Sequence, residues 1–183
     1  MRDKTKLIGT ILGVVLFIAL IAGFTYAYLI SRVEKTLTTG SGKFSIDYQI
    51  VENITAEGLT PSDSKDEGLH GKVTAKLSEG SVKGKFNIYI TPSVIEGLNT
   101  SDALKYEVYV NNSTTPYKTG DFNNAAVNNP LQIVDSYELN SSTTLTTFDI
   151  YIWLDNNKVT NAMFGKTFKA TISADSTSIT GDL

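Results

Sequence analysis

Period-two alternation recurs along most of this chain and leaves room for little except packed β-sheets. Phe44, Ile46, Tyr48 and Ile50 alternate with Ser45, Asp47 and Gln49, the pattern of a strand with one buried face and one wet face. Val73, Ala75 and Leu77 repeat it, as do Phe86, Ile88 and Ile90, then Tyr106, Val108 and Val110. Phe148, Ile150, Ile152 and Leu154 give another strand, and Phe168, Ala170, Ile172 and Ala174 close the series. A shorter, less regular strand is expected over residues 131–139. Roughly seven strands joined by polar turns predict an all-β fold, a β-sandwich or jelly roll.

Ahead of these strands lies a segment of another kind. Residues 7–30 (LIGTILGVVLFIALIAGFTYAYLI) are almost uninterruptedly apolar and follow the cations Arg2, Lys4 and Lys6. About 20 apolar residues span a bilayer core, so one transmembrane or signal helix is expected here. The cationic start favours an N-terminus kept inside and a remainder carried across. Two readings of the leader stay open. As a signal peptide it ends in Thr25-Tyr26-Ala27, which puts the cut between Ala27 and Tyr28. As an anchor it is long enough to stay in the membrane, with Ser31-Arg32 as its polar stop. The expected division is therefore a cytoplasmic start (1–6), a leader or anchor (7–30), a spacer (31–41) and a β-sandwich ectodomain (42–183).

Composition narrows the partners. The chain carries 16 Lys+Arg and 19 Asp+Glu. Setting aside Arg2, Lys4, Lys6 and Asp3 leaves 13 against 18 for the exported part. An acidic surface of this kind gives no footing for a nucleic acid, which needs cations to displace its counterions. Cysteine is absent, which removes thiol nucleophiles and Cys-ligated metals and leaves an extracellular domain to rely on its core.

Candidate chemistry is sparse. His70 is the only histidine, so a zinc site of the HExxH type cannot be assembled, and no GxSxG elbow accompanies it. Between Gly68 and Gly71 it reads as an exposed loop residue. Asp63, Asp66 and Glu67 form an acidic loop without EF-hand spacing and read as a solvated turn. Residues 93–98 are expected to form one helical turn, started by Pro92 and stopped by Gly97. Residues 111–130 form a long polar connection with no regular period. No catalytic, cofactor-binding or metal-binding residues are assigned, and the chain is read as non-enzymatic. Tyr89, Tyr109, Tyr151 and Trp153 fall opposite the core faces. Such aromatics make an interaction surface for sugar rings or another subunit, or else pair across strands beneath a cover.

The order of parts resembles the TasA/camelysin family of exported Gram-positive proteins. The resemblance lies in Thr25-Tyr26-Ala27-Tyr28 at the end of the leader, then Ser41-Gly42-Lys43-Phe44-Ser45-Ile46. Ile152-Trp153-Leu154-Asp155 and Gly165-Lys166-Thr167-Phe168 extend it to the last strands. It implies a jelly-roll subunit of extracellular biofilm-matrix fibres, a leader removed after Ala27 by a dedicated signal peptidase, and assembly by donation of an N-terminal strand. One departure is Ile30, Val33 and Leu37, whose spacing of 3 and 4 suits a helical stalk better than a donated strand. A different class of function, a membrane-anchored module that binds surface glycans through the four aromatics, is the alternative.

Overall fold

The computed structural model describes residues 33–38, 45–52, 54–56, 58–81 and 83–178. The apolar run 7–30 and the Ala27/Tyr28 junction lie outside the described residues. Among those described, no helix is long and apolar enough to cross a membrane.

The chain forms two sheets that face each other. In the seven-stranded sheet, β1 (Val33–Thr38), β2 (Ser45–Glu52), β5 (Leu69–Leu77), β10 (Thr146–Asp155), β7 (Leu104–Val110) and β8 (Lys118–Asp121) follow in that spatial order. The short β4 (Pro61–Ser62) pairs in parallel with the end of β10. The four-stranded sheet has the order β3 (Thr55–Ala56), β11 (Phe168–Ser178), β6 (Gly84–Val94) and β9 (Leu131–Leu139). Apart from β4, every pairing is antiparallel. In chain order the strands pass to the four-stranded sheet at β3, return at β4, and change sheet again at β6, β7, β9, β10 and β11. This is a β-sandwich.

Alternation explains the sandwich directly. Successive side chains on a strand point to opposite faces, and the apolar sets of both sheets meet in the middle. Val73, Ala75, Val108, Phe148, Ile150 and Ile152 from one sheet are fully buried, as are Phe86, Ile88, Ile90 and Phe168 from the other. Aromatic rings link the layers: Phe86 lies 5.8 Å from Tyr48 and 5.7 Å from Phe148, and Tyr137 meets Phe148 edge-on at 5.0 Å. Each such side chain contributes about 1.5–3 kcal/mol by leaving water, and in a chain without disulfides this core carries the stability. Asn111 and Asn112 turn the chain after β7 with φ of 51° and 57°, a left-handed conformation that asparagine tolerates better than most residues.

The structure differs from the sequence reading in several places. Residues 93–98 do not make a helical turn. Instead β6 carries Pro92 through to Val94, and a tight turn follows, closed by Leu98 N–H donating to Ile95 O (2.8 Å) with Gly97 at φ 81°. The 111–130 connection is not irregular throughout, since it contains β8 and the fully buried Phe122. Residues 33–38 form a strand where the spacing suggested a helix. A ladder along β2 outweighs a weak local period, and Val33, Thr36 and Thr38 are β-branched residues suited to it.

Candidate functional site

The outward face of the seven-stranded sheet gathers most of the polar and aromatic side chains singled out in the sequence. Register decides which of them meet. Tyr151 on β10 lies between His70 of β5 and Glu107 of β7; Asp149 lies between Lys72 and Tyr109; Trp153 lies beside Lys105, which in turn faces Asp121 of β8. Cross-strand neighbours on one face touch, so three aromatics become part of two adjoining neighbourhoods.

The first is a covered aromatic cluster. Tyr109 and Tyr151 meet edge-on at 5.7 Å, and His70 packs on Tyr151 at 4.8 Å. A one-turn 3-10 helix, η1 (Lys65–Glu67), sits beside this pair, capped by Ser64, whose hydroxyl accepts from Asp66 N–H. It holds the Lys65 ammonium 5.1 Å from the Tyr109 ring centroid and 4.6 Å from that of Tyr151, within cation–π range. A hydrogen bond to Asp66 raises the Lys65 pKa above its ordinary value and so favours the charged form. The Tyr109 hydroxyl donates to Glu107 Oε2 at 2.6 Å. Burial, reinforced by that carboxylate, pushes its pKa up to about 12.

The expected loop histidine is corrected here. His70 belongs to β5, is half-buried, and has Nε2 3.2 Å from Asp149 Oδ1, an oxygen that Lys72 also approaches at 3.2 Å. The acidic loop is likewise engaged, with Glu67 accepting from Ser62 Oγ (2.7 Å) and Asp66 pairing with Lys65 (2.8 Å). Among the described residues, no three His, Asp or Glu side chains gather to hold a metal ion.

The second neighbourhood is a cleft of about 330 Å³ beside Trp153, floored by β7 and β8. Lys105, Glu107, Thr119 and Asp121 line it from the strands, and Asp102 and Lys158 from the adjoining turns. Lys158 pairs with Asp102. Lys105 reaches Asp155 Oδ2 at 2.5 Å, and this hydrogen bond holds the Asp155 carboxyl below the usual carboxylate range. Asp155 also accepts from Asn157 N–H at 3.0 Å, which fixes the turn after β10.

Tyr89 does not join either group. It lies on β6 in the other sheet, where its hydroxyl donates to Asp175 Oδ2 at 3.1 Å. The four outward aromatics are therefore divided between the two sheets. The alternation that marks Tyr109 as outward also marks Lys105 and Glu107, so those two were within reach of the sequence. Lys65 comes from the one-turn helix η1, and Asp102 and Lys158 from turns, so none of the three carried a periodic signal.

No protein-family model matches this chain, and no curated protein matches it either.

Proposed function

We propose that this chain is a non-enzymatic structural protein of the cell surface or extracellular matrix, a jelly-roll member of the TasA/camelysin-like group that assembles into fibres by strand addition. The leader over residues 7–30 carries it to or across the membrane, with signal peptidase cutting between Ala27 and Tyr28 where the subunit is released. The observation that carries the proposal is β1. Among the described residues it sits at the end of the seven-stranded sheet and pairs with β2 alone, in a continuous register from Val33↔Ile50 to Thr38↔Ser45.

A terminal strand held by one neighbour can be exchanged at little cost. The β1 of an adjacent subunit would make the same main-chain hydrogen bonds with β2, so the exchange conserves the ladder while linking two molecules. A heterologous link of this kind, repeated with a rotation that does not close into a ring, propagates into a fibre. Self-association is thus the expected partner relation. Sedimentation of the protein over a wide concentration range tests it: growth into large species supports the proposal, and a strict monomer at every concentration contradicts it.

A further inference from the structure

The Lys65 ammonium stands in a corner made by two perpendicular rings. Tyr109 and Tyr151 meet at an interplanar angle of 89°, and their centroids lie 5.1 and 4.6 Å from Lys65 Nζ. Glu107 gives the corner a negative charge. It lies directly across from Tyr151 in the ladder and accepts from the Tyr109 hydroxyl at 2.6 Å. Two π faces at right angles beside a carboxylate make an ammonium cage. His70, packed on Tyr151 at 4.8 Å, backs one of its walls.

The ammonium is not what seats η1. None of the helix's three residues is buried, and the segment is pinned on either side of it instead. Ser62 belongs to β4 and pairs with Asp155, while Gly68 backs onto Ile152 and Trp153 too closely to admit a Cβ. Ser62 Oγ also donates to Glu67 Oε2 at 2.7 Å. The Lys65 ammonium donates to Asp66, the next residue along the same helix, at 2.8 Å, so that bond ties nothing to the sheet. With its side chain 27% exposed, Lys65 can swing into water and leave the corner standing. It is a tethered occupant of the cage and not part of its wall.

The distances say which occupant fits better. Carbon atoms in contact lie about 3.5–4.0 Å apart, and the Lys65 nitrogen stands off from both ring centroids by more than that. Methyl groups on the nitrogen would take up the difference and touch both faces. A quaternary ammonium also has no N–H to satisfy, whereas a primary ammonium brings three that need acceptors once buried. An anion would meet Glu107, and a neutral group of the same shape would forgo the attraction of the π faces.

We propose that Tyr109, Tyr151 and Glu107 form a binding site for a trimethylammonium group, with Lys65 as a built-in pseudo-ligand that must be displaced to open it. A free choline-type molecule and a lipid head group share this chemistry. The site uses neither β1 nor its edge, so it stands or falls apart from strand exchange. Tyr89, on the other sheet, is outside it.

A tethered lysine competes at a high effective concentration, so removing its charge should tighten binding. The full-length chain, in a maltoside detergent, is titrated with choline and with glycerophosphocholine, the second standing for a lipid head group. The neutral isostere 3,3-dimethylbutanol is the control. Saturation transfer to the ligand's methyl protons reads the binding. The expected result is saturable binding of at least one of the two cations to Lys65→Gln, at a Kd on the order of 1 mM. Binding to the parent protein should be about tenfold weaker, and 3,3-dimethylbutanol should bind to neither. In the Lys65→Gln background, Tyr151→Leu should abolish binding and Tyr89→Phe leave it unchanged. Glu107→Gln keeps the side chain's shape and should weaken binding about tenfold, which tests the site even where Tyr151→Leu fails to fold. Binding of choline alone supports the site for a free molecule, and binding of glycerophosphocholine supports it for a lipid head group. A Lys65→Gln protein that binds neither overturns the proposal. Equal affinity in the parent and Lys65→Gln, equal binding of the neutral isostere, or binding indifferent to Glu107→Gln overturns it too.

Discussion

Gly68 backs onto Trp153 so closely that a Cβ at position 68 would lie 2.7 Å from the Trp153 Cβ, and closer still to the Ile152 carbonyl oxygen. The obstacle is backbone and the root of a side chain, neither of which can swing aside. Gly68→Ala is therefore expected to cost about 1–3 kcal/mol, as overpacking does, and to alter Trp153 emission. Gly71→Ala meets Ile172 Cδ1 at 2.9 Å and Ile54 Cγ1 at 3.0 Å, side-chain atoms that can shift where backbone cannot, and should cost less. Chemical denaturation of both variants checks the order; an unperturbed Gly68→Ala contradicts the packing.

Asp155 couples stability to acid. Lys105 holds its folded-state pKa below the ordinary carboxylate value near 3.8, against the opposing effect of burial. A lowered folded pKa means the contribution is fully present above the unfolded value and is lost as pH falls through the folded one. The pair is partly open to water, with Lys105 29% exposed, so at most about 1 kcal/mol is at stake. Denaturation between neutral pH and the acid limb should show Asp155→Asn losing that increment above pH 4 and converging with the parent protein in stronger acid. Parallel curves at all pH values would contradict the assignment.

Phe122 is a core residue in a stretch that looks like loop. It is fully buried, with its ring 5.7 Å from Tyr106 and 5.0 Å from Phe168, which ties the end of β8 to the opposite sheet. Phe122→Ala should cost about 3–5 kcal/mol. Phe164, 53% exposed, should tolerate alanine within about 0.5 kcal/mol. Equal losses from the two, measured by thermal or denaturant unfolding, would contradict this placement.

These residues also show what could be read without a structure. The strands β2, β5, β6, β7, β10 and β11 were legible because each keeps one face dry over several residues, and a period of two survives on that account. Phe122 was not, because one aromatic among Gly, Asp and Asn has no period at all. β1 was misread because the 3-and-4 spacing of Ile30, Val33 and Leu37 is local, whereas the ladder with β2 that decides its form is not. At the candidate site, alternation pointed Tyr109, Tyr151 and Trp153 outward but could not tell covered from open. That distinction rests on Lys65 and on the register between β7, β8 and β10, which bring together residues far apart in the chain. His70 was placed in a loop because glycines flank it, yet pairing with Tyr151 draws it into β5.

The most direct test of strand exchange follows from the β1–β2 register, in which Glu34 lies opposite Gln49. The chain has no cysteine of its own, so Glu34→Cys and Gln49→Cys can be introduced singly, mixed under assembling conditions and oxidised. Exchange of β1 between subunits predicts disulfide-linked heterodimers from the mixture, and covalent ladders from the double variant. If the mixture stays monomeric while the double variant closes only within its own chain, β1 belongs to its own subunit and the fibre account is wrong.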